Sequence, residues 1–349
     1  MDSGIPAMWM RGGTSKALYF RREDLPNDIC SRDKLLLRIM GSPDMRQIDG
    51  VGGSDPLTSK VAIISSSEDP EADVDYLFLQ VAVDKAEVSD SQGCGNVLAG
   101  VGPFAIERGL VRAEASKTST RIRMCNTGEI AEVIISTPGG KVTYDGHETI
   151  DGVPGTSAAI QIFFSNLAGS SCGSLLPTGN VTDILDGLEC TLIDNGMPCV
   201  IIKAVDFGIT GRESRHQLEL NAEVKAAIES IRLKAGNLME LGDVTKKPVP
   251  KMTLVSEPLN GGLLNTRSFI PHRVHASIGV FAAITVSSAC VIPNTVAASL
   301  APSLDGGICK IEHPSGCTKV RLELDNEGAI GRTGIIRTAR KLMDGTVYS

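Results

Sequence analysis

Aromatic residues are scarce, 4% of 349, with one tryptophan, four tyrosines and eight phenylalanines. The core must therefore be built largely from Val, Ile, Leu and Ala. Runs of Lys and Arg are missing, and the formal net charge is −7. Both features lack the electrostatic footprint of a nucleic-acid binder, so an anionic ligand has to be met by locally placed cations. No stretch approaches the length of a membrane span, and no basic-then-apolar leader stands near Met1. A cytoplasmic protein without membrane or nucleic-acid partners is the expectation. The nine cysteines are an odd number, irregularly spaced and without C-x-x-C, which argues for reduced thiols over a disulfide framework or a structural zinc. The segment Arg11-Gly12-Gly13-Thr14-Ser15-Lys16 lacks the G-x-x-x-x-G-K-[ST] spacing of a nucleotide loop. His272 and His275 lack the H-E-x-x-H of zinc proteases. Neither a cofactor nor a metal is expected.

What the chain does contain centres on Ser91-Gln92-Gly93-Cys94-Gly95-Asn96 and the apolar stretch 97–110. Val97, Leu98, Val101, Phe104, Ala105 and Ile106 are spaced for a helix apolar nearly all round, and such a helix belongs in an interior. Its first turn offers unpaired N–H groups and the positive end of the helix dipole, which suit a substrate carboxylate and favour a thiolate. Most free cysteines are small buried hydrophobes, and Cys190, Cys199 and Cys290 sit in apolar runs that fit that role. Cys94, set among small polar residues, reads as functional.

At this length two domains are natural. Strands are expected at 5–10, 61–64, 76–83, 121–124, 130–135 and 141–144, with a helix closing over 35–40, so the first domain is mostly β around one buried helix. A Gly/Ser-rich stretch at 168–174, followed by Pro177-Thr178-Gly179-Asn180, is the best linker. Beyond it come strands at 189–194 and 199–204 and an amphipathic helix capped by Asn221 that ends near Gly236. A Gly-rich, Arg-bearing run then leads through Pro271-His272-Arg273-Val274-His275 into a second all-apolar helix at 277–289, and a strand follows at 319–324. Loop, buried helix, turn and strand thus occur twice, an internal repeat.

The segments Met10 to Lys16, Ile48 to Lys60, Cys94-Gly95-Asn96, Ile150-Asp151-Gly152-Val153-Pro154-Gly155, Asn265-Thr266-Arg267 and His313-Pro314-Ser315-Gly316 together resemble the PrpF-like branch of the diaminopimelate-epimerase-like superfamily, over nearly the whole chain. The resemblance implies an α+β fold of two pseudo-symmetric domains, each a β-barrel-like sheet around a central helix. These would span 1–180 and 181–336, with a C-terminal strand at about 337–349 returning to the first. It also implies a cofactor-independent proton shift on an unsaturated polycarboxylate. Keto–enol tautomerisation of 4-oxalomesaconate is the first reading, isomerisation of aconitate or methylitaconate the second, and a noncatalytic binding protein the third. Lys60 and Cys94 match the family's catalytic lysine and cysteine, whereas residue types alone would make Lys60 a solvated strand-edge lysine. The epimerases place a second thiol in the later repeat. Here that region carries Val274, which cannot move a proton. Arg11 and Arg267, each beside Gly, Ser or Thr, read as carboxylate clamps. Thr14, Ser15, Ser59, Gly95, Asn96, His272, His275 and Ser277 complete the substrate-contact candidates. A homodimer is compatible with this reading.

Overall fold

The computed structural model describes residues 4–302, 304 and 307–349. The chain forms two compact units, Met1–Phe164 with Ile336–Ser349, and Ser165–Ile335. The boundary therefore falls at Phe164, and the Gly/Ser-rich segment at 168–180 belongs wholly to the second unit.

The first unit contains β1 (Ile5–Gly12), β2 (Ser15–Arg21), α1 (Ile29–Met40), β3 (Lys60–Ser66), β4 (Val74–Val81), β5 (Val88–Ser89), α2 (Gly95–Glu107), β6 (Lys117–Met124), β7 (Ile130–Ser136) and β8 (Ala159–Phe164). The second contains β9 (Asp183–Leu185), β10 (Leu188–Asp194), β11 (Pro198–Lys203), α3 (Arg215–Leu220), α4 (Ala222–Leu238), β12 (Lys251–Ser256), β13 (Leu264–Phe269), α5 (Val280–Val291), β14 (Ile308–His313) and β15 (Gly316–Leu324). The last strand, β16 (Ile330–Val347), begins in the second unit and ends in the first.

In the first unit the order β1-β2-β3-β4-β6-β7-β8-β16 closes on itself, because β16 also pairs with β1. Side chains of a strand alternate between its faces. One face sends Ala7, Leu18, Phe20, Val61, Ile63, Leu79 and Val81 against Leu36, Ile39 and Met40 of α1. The intervening residues, Tyr19, Lys60, Ala62, Phe78 and Gln80 among them, point to the opposite face, where α2 packs against β1, β2, β3, β4, β6 and β7. α2 contains Gly95, Gly100, Gly102 and an internal Pro103, at about 1 kcal/mol for each Gly and about 3 for Pro relative to Ala. Enclosure outweighs this. Val97, Leu98, Val101 and Phe104 are all buried, at about 1.5–3 kcal/mol each. The glycines let neighbours come close: a Cβ on Gly100 would lie 2.4 Å from Tyr19 Oη, and that hydroxyl donates to the Val97 carbonyl at 2.6 Å.

In the second unit the order is β16-β15-β14-β13-β12-β11-β10-β9, and among the described residues β9 has no further partner, leaving an open edge with Ile184 exposed. Val224, Ile228, Ile231 and Ala235 of α4 pack on Met252, Leu254, Phe269 and Val274. α5 lies against β10, β11, β14 and β15. The internal repeat is visible in the strand pairing. β1/β2, β2/β3, β3/β4, β4/β6, β6/β7 and β7/β8 run antiparallel, parallel, antiparallel, parallel, antiparallel, antiparallel. β10/β11, β11/β12, β12/β13, β13/β14, β14/β15 and β15/β16 follow the same series. α2 corresponds to α5, α1 to α4, and β3 to β12.

Several local expectations shift. α2 starts at Gly95 and α5 at Val280, and 141–144 is irregular instead of a strand. Asn221 caps α4 by accepting from Val224 N, but Gly236 lies inside that helix, where a Cβ would meet Val244 at 2.4 Å. No described helix is long and apolar enough to cross a membrane.

Gly12 and Gly102 offer a test of how α2 is enclosed. A Cβ on Gly12 would stand 2.4 Å from the Asn96 carbonyl oxygen and 3.2 Å from Val97 Cα, whereas on Gly102 its nearest obstacle is the tip of Ile135 at 2.6 Å. Backbone cannot yield as a side-chain tip can. Gly12→Ala should lower stability by about 1–3 kcal/mol and Gly102→Ala by distinctly less, measured as thermal midpoints. Equal midpoints for the two would contradict the close approach of β1 to α2.

Candidate active site

Cys94 is the N-cap of α2, in an extended conformation, and its side chain makes no capping bond. Its carbonyl accepts from Leu98 N at 3.0 Å and from the Tyr76 hydroxyl at 3.4 Å. The N–H groups ahead of Leu98 have no acceptor within the helix. The mouth is open at Gly95, where a Cβ would meet nothing within 4 Å. Across it, Asn96 Nδ2 donates to Thr14 Oγ1 at 3.0 Å. The Ser15 hydroxyl, next along the β1–β2 turn, is buried and has no hydrogen-bond partner among the described residues. Thr14, Ser15, Cys94, Gly95 and Asn96 thus belong to one neighbourhood.

Lys60 is the first residue of β3 and only 6% exposed. Its Nζ donates to Gln80 Oε1 at 2.6 Å and stands 5.0 Å from the centre of the Phe78 ring. Burial pushes its pKa below the ordinary lysine value; the charges of Cys94 and Asp55 oppose that shift without cancelling it. The same Cys94 charge acts on Tyr19 and Tyr76, whose pKa values burial raises far above normal, so both phenols stay neutral. Lys60 therefore lies within electrostatic reach of Cys94. Ser59 is fully buried, and its hydroxyl accepts from Gln47 Nε2 at 2.8 Å. Gln47 also donates to Ser42 Oγ and accepts from Ser54 N, which ties the loop leading into Lys60 together.

Arg11 is placed elsewhere. It follows Trp9 on the α1 side of the sheet, and its Nη1 donates to Gly13 O, Thr338 O and Thr338 Oγ1 while Nη2 donates to Ser157 Oγ. It acts as a brace between the β1–β2 turn, β16 and the segment before β8. With Lys16, Arg340, Tyr144 and Asp145 it lines a cavity of about 410 Å³ that includes neither Lys60 nor Cys94. Burial lowers the Arg11 pKa, and the like charge of Arg340 adds to that.

In the second unit Arg267 is buried, with Nε on Glu213 O at 2.7 Å and Nη1 on Asn265 Oδ1 and Thr266 O. Its Nη2 has no partner among the described residues. The two histidines diverge. His272 is exposed, with Nδ1 3.7 Å from Glu229 of α4. His275 Nδ1 accepts from Ser277 N at 2.9 Å, which leaves the proton on Nε2. Burial, then Lys251 and Arg215, hold the His275 pKa below its ordinary value, so the ring is neutral at neutral pH. Val274 faces the α4 core at 1% exposure, and the residue at the mouth of α5 is Gly279.

The residues missed by sequence reading are Gln80, Gln47, Phe78 and Tyr76. The signal for three of them lay in β4, where Tyr76, Phe78 and Gln80 alternate onto one face and the glutamine interrupts an otherwise aromatic series. Gln47 had no such signal, because its role depends on a loop closing over Ser59.

Two repeats of a sheet around an apolar helix, with a cysteine at one helix mouth, define a diaminopimelate-epimerase-like fold. Residues 3–349 match the PrpF protein family, and the chain belongs to it. It is 60% identical over 350 residues to a (4E)-oxalomesaconate Delta-isomerase of Novosphingobium sp. (strain KA1), covering 100% of this chain and 98% of that one. It is 55% identical to a 4-oxalomesaconate tautomerase of Pseudomonas putida, covering 98% and 95%. A crystal structure of methylitaconate-delta-isomerase superposes with a TM-score of 0.90 at 37% identity, covering 99% of this chain and 96% of that one.

The thiols should separate by reactivity. Burial pushes Cys172, Cys190 and Cys309 up to about 12, and raises Cys199 and Cys290 further. Only the thiolate attacks an alkylating agent. Limited iodoacetamide treatment at pH 8 should modify half-buried Cys94 well before those five, as read by peptide mass spectrometry. Equal labelling of Cys94 and Cys190 would contradict this.

Proposed function

We propose that the protein is a cofactor-independent isomerase that moves a proton along an unsaturated polycarboxylate, with 4-oxalomesaconate as substrate and keto–enol tautomerisation as the reaction. The observation that carries this reading is Lys60, a buried amine with a lowered pKa, held by a neutral amide and sensing the charge of Cys94 at the mouth of α2. A proton shift between two positions needs a base at one, an acid at the other, and stabilisation of the enolate between them. Neutral Lys60 takes the proton and the Cys94 thiol returns one, leaving an ammonium and a thiolate that exchange protons with solvent to restore the starting pair. The N–H groups of Gly95 and Asn96, with the helix dipole, hold a carboxylate or the enolate oxygen. Thr14 and Ser15 add hydroxyls beside them. The identities to the oxalomesaconate isomerase and tautomerase support this substrate. The match to a methylitaconate isomerase supports the second reading, the same mechanism on methylitaconate or aconitate.

Ultraviolet absorbance of the 4-oxalomesaconate enol, beside NMR of aconitate and methylitaconate in deuterated buffer, separates the two. Faster turnover of either of the latter would displace the first reading. Lys60→Met and Cys94→Ser should each lower kcat by about 10²–10⁴-fold with folding intact. If Lys60→Met instead raised KM alone, the lysine would be a carboxylate anchor. The rate should rise with pH through a limb below the ordinary lysine value of about 10.4, because burial disfavours the ammonium and a base must be neutral. That limb should vanish in Lys60→Met.

A further inference from the structure

The two repeats each open the third strand of the matching series with a lysine, Lys60 in β3 and Lys251 in β12. Burial lowers the pKa of both. They differ in what stands across the sheet. Lys60 pairs directly with Gln80 of β4, whereas the register Met252 with Phe269 places Ile270 opposite Lys251, and no hydrogen bond is formed by the Lys251 amine among the described residues. The lowered pKa therefore does not need the glutamine, and the amide must do something else.

We propose that Gln80 is a positioning residue for Lys60, an acceptor that holds the amine in one orientation whether or not it is charged. The Gln80 side chain can face Lys60 in only one way. Its Nε2 donates to the Pro56 and Ser59 carbonyls at 3.0 and 2.9 Å, so Oε1 is the atom left to accept from Nζ at 2.6 Å. An ammonium has three N–H groups and a neutral amine two, so either form can occupy that bond. With one N–H committed, the lone pair of the neutral amine is confined to the remaining directions and the side chain keeps its place through a full proton cycle. A carboxylate in the same position would prefer the ammonium and take the amine out of use as a base. The other groups around Lys60 are the Phe78 ring, Cys94 of α2 and Asp55 of the preceding loop, whose side chain also accepts from Leu57 N. Tyr19 and Tyr76 of β2 and β4 are neutral. None of these fixes the direction of the amine by a hydrogen bond.

The inference rests on Lys60 being the acid/base group, and the experiment keeps the two apart. Gln80→Glu and Gln80→Met are compared with the native protein by pH-rate profiles on 4-oxalomesaconate. The pH dependence of Lys60 acylation is followed by peptide mass spectrometry, with Lys251 as the internal reference. Gln80→Glu should move both the Lys60 limb and its acylation profile up by about 1–3 pH units, leaving Lys251 unmoved. Gln80→Met, which packs but cannot accept, should lower kcat by about 10²-fold with KM little changed. A glutamate here also faces two carbonyls, so thermal midpoints accompany both variants, and Gln80→Met decides if Gln80→Glu unfolds. Unmoved profiles in a folded Gln80→Glu, or native kcat in Gln80→Met, overturn the proposal. Native turnover in Lys60→Met would instead overturn the role of Lys60, and the acylation profiles alone would then judge Gln80.

Discussion

Helix α2 has no polar face, and only a sheet that surrounds it can keep Val97, Leu98, Val101 and Phe104 from water. That constraint organises the first unit. The strands must close, so β16 returns to pair with β1, and the inward positions must be small or apolar except where a polar group has a partner. Tyr19 meets the rule by donating to Val97 O, and Lys60 by donating to Gln80. A helix enclosed in this way presents its N-terminal turn at the end of the barrel, where unpaired N–H groups and Cys94 meet open space.

The same enclosure explains the electrostatics. Lys60 lies at the first position of β3, inside the sheet yet near its end, where burial lowers its pKa without removing it from the neighbourhood of Cys94. One residue further along, Val61 faces α1 and would offer no chemistry. The one-residue alternation of a strand thus separates the Lys60 amine from a core side chain, and it sends Arg11 to the other face.

The second unit repeats the scaffold without repeating the chemistry. Its strand pairing follows the same series, and Lys251 opens β12 as Lys60 opens β3. Gly279 stands where Cys94 stands, and Ile270 where Gln80 does. Two copies of one topology hold a thiol and an amide-bound lysine in one copy only. In the proposed mechanism the two groups that move the proton are correspondingly unlike, an amine and a thiol.

The sequence by itself determined the pieces whose physics is local. An all-apolar helical spacing at 97–106 demands burial, Asn221 before an amphipathic run caps a helix, and Cys94 between glycines marks a turn. The motifs taken together resemble one family, and that family match extends over residues 3–349. What local pattern could not decide was anything set by pairing across the sheet. Whether Lys60 faces water or α2 depends on register with Gln80, and composition alone favoured water. Whether Arg11 clamps a ligand or braces β16 depends on Thr338, 327 residues away in sequence. Positions 141–144, which read as a strand, make single backbone bonds to Ser136 and Ala158 but no ladder, and stayed irregular. Only tertiary structure supplies the neighbour across the sheet, and for a buried charge that neighbour decides its role.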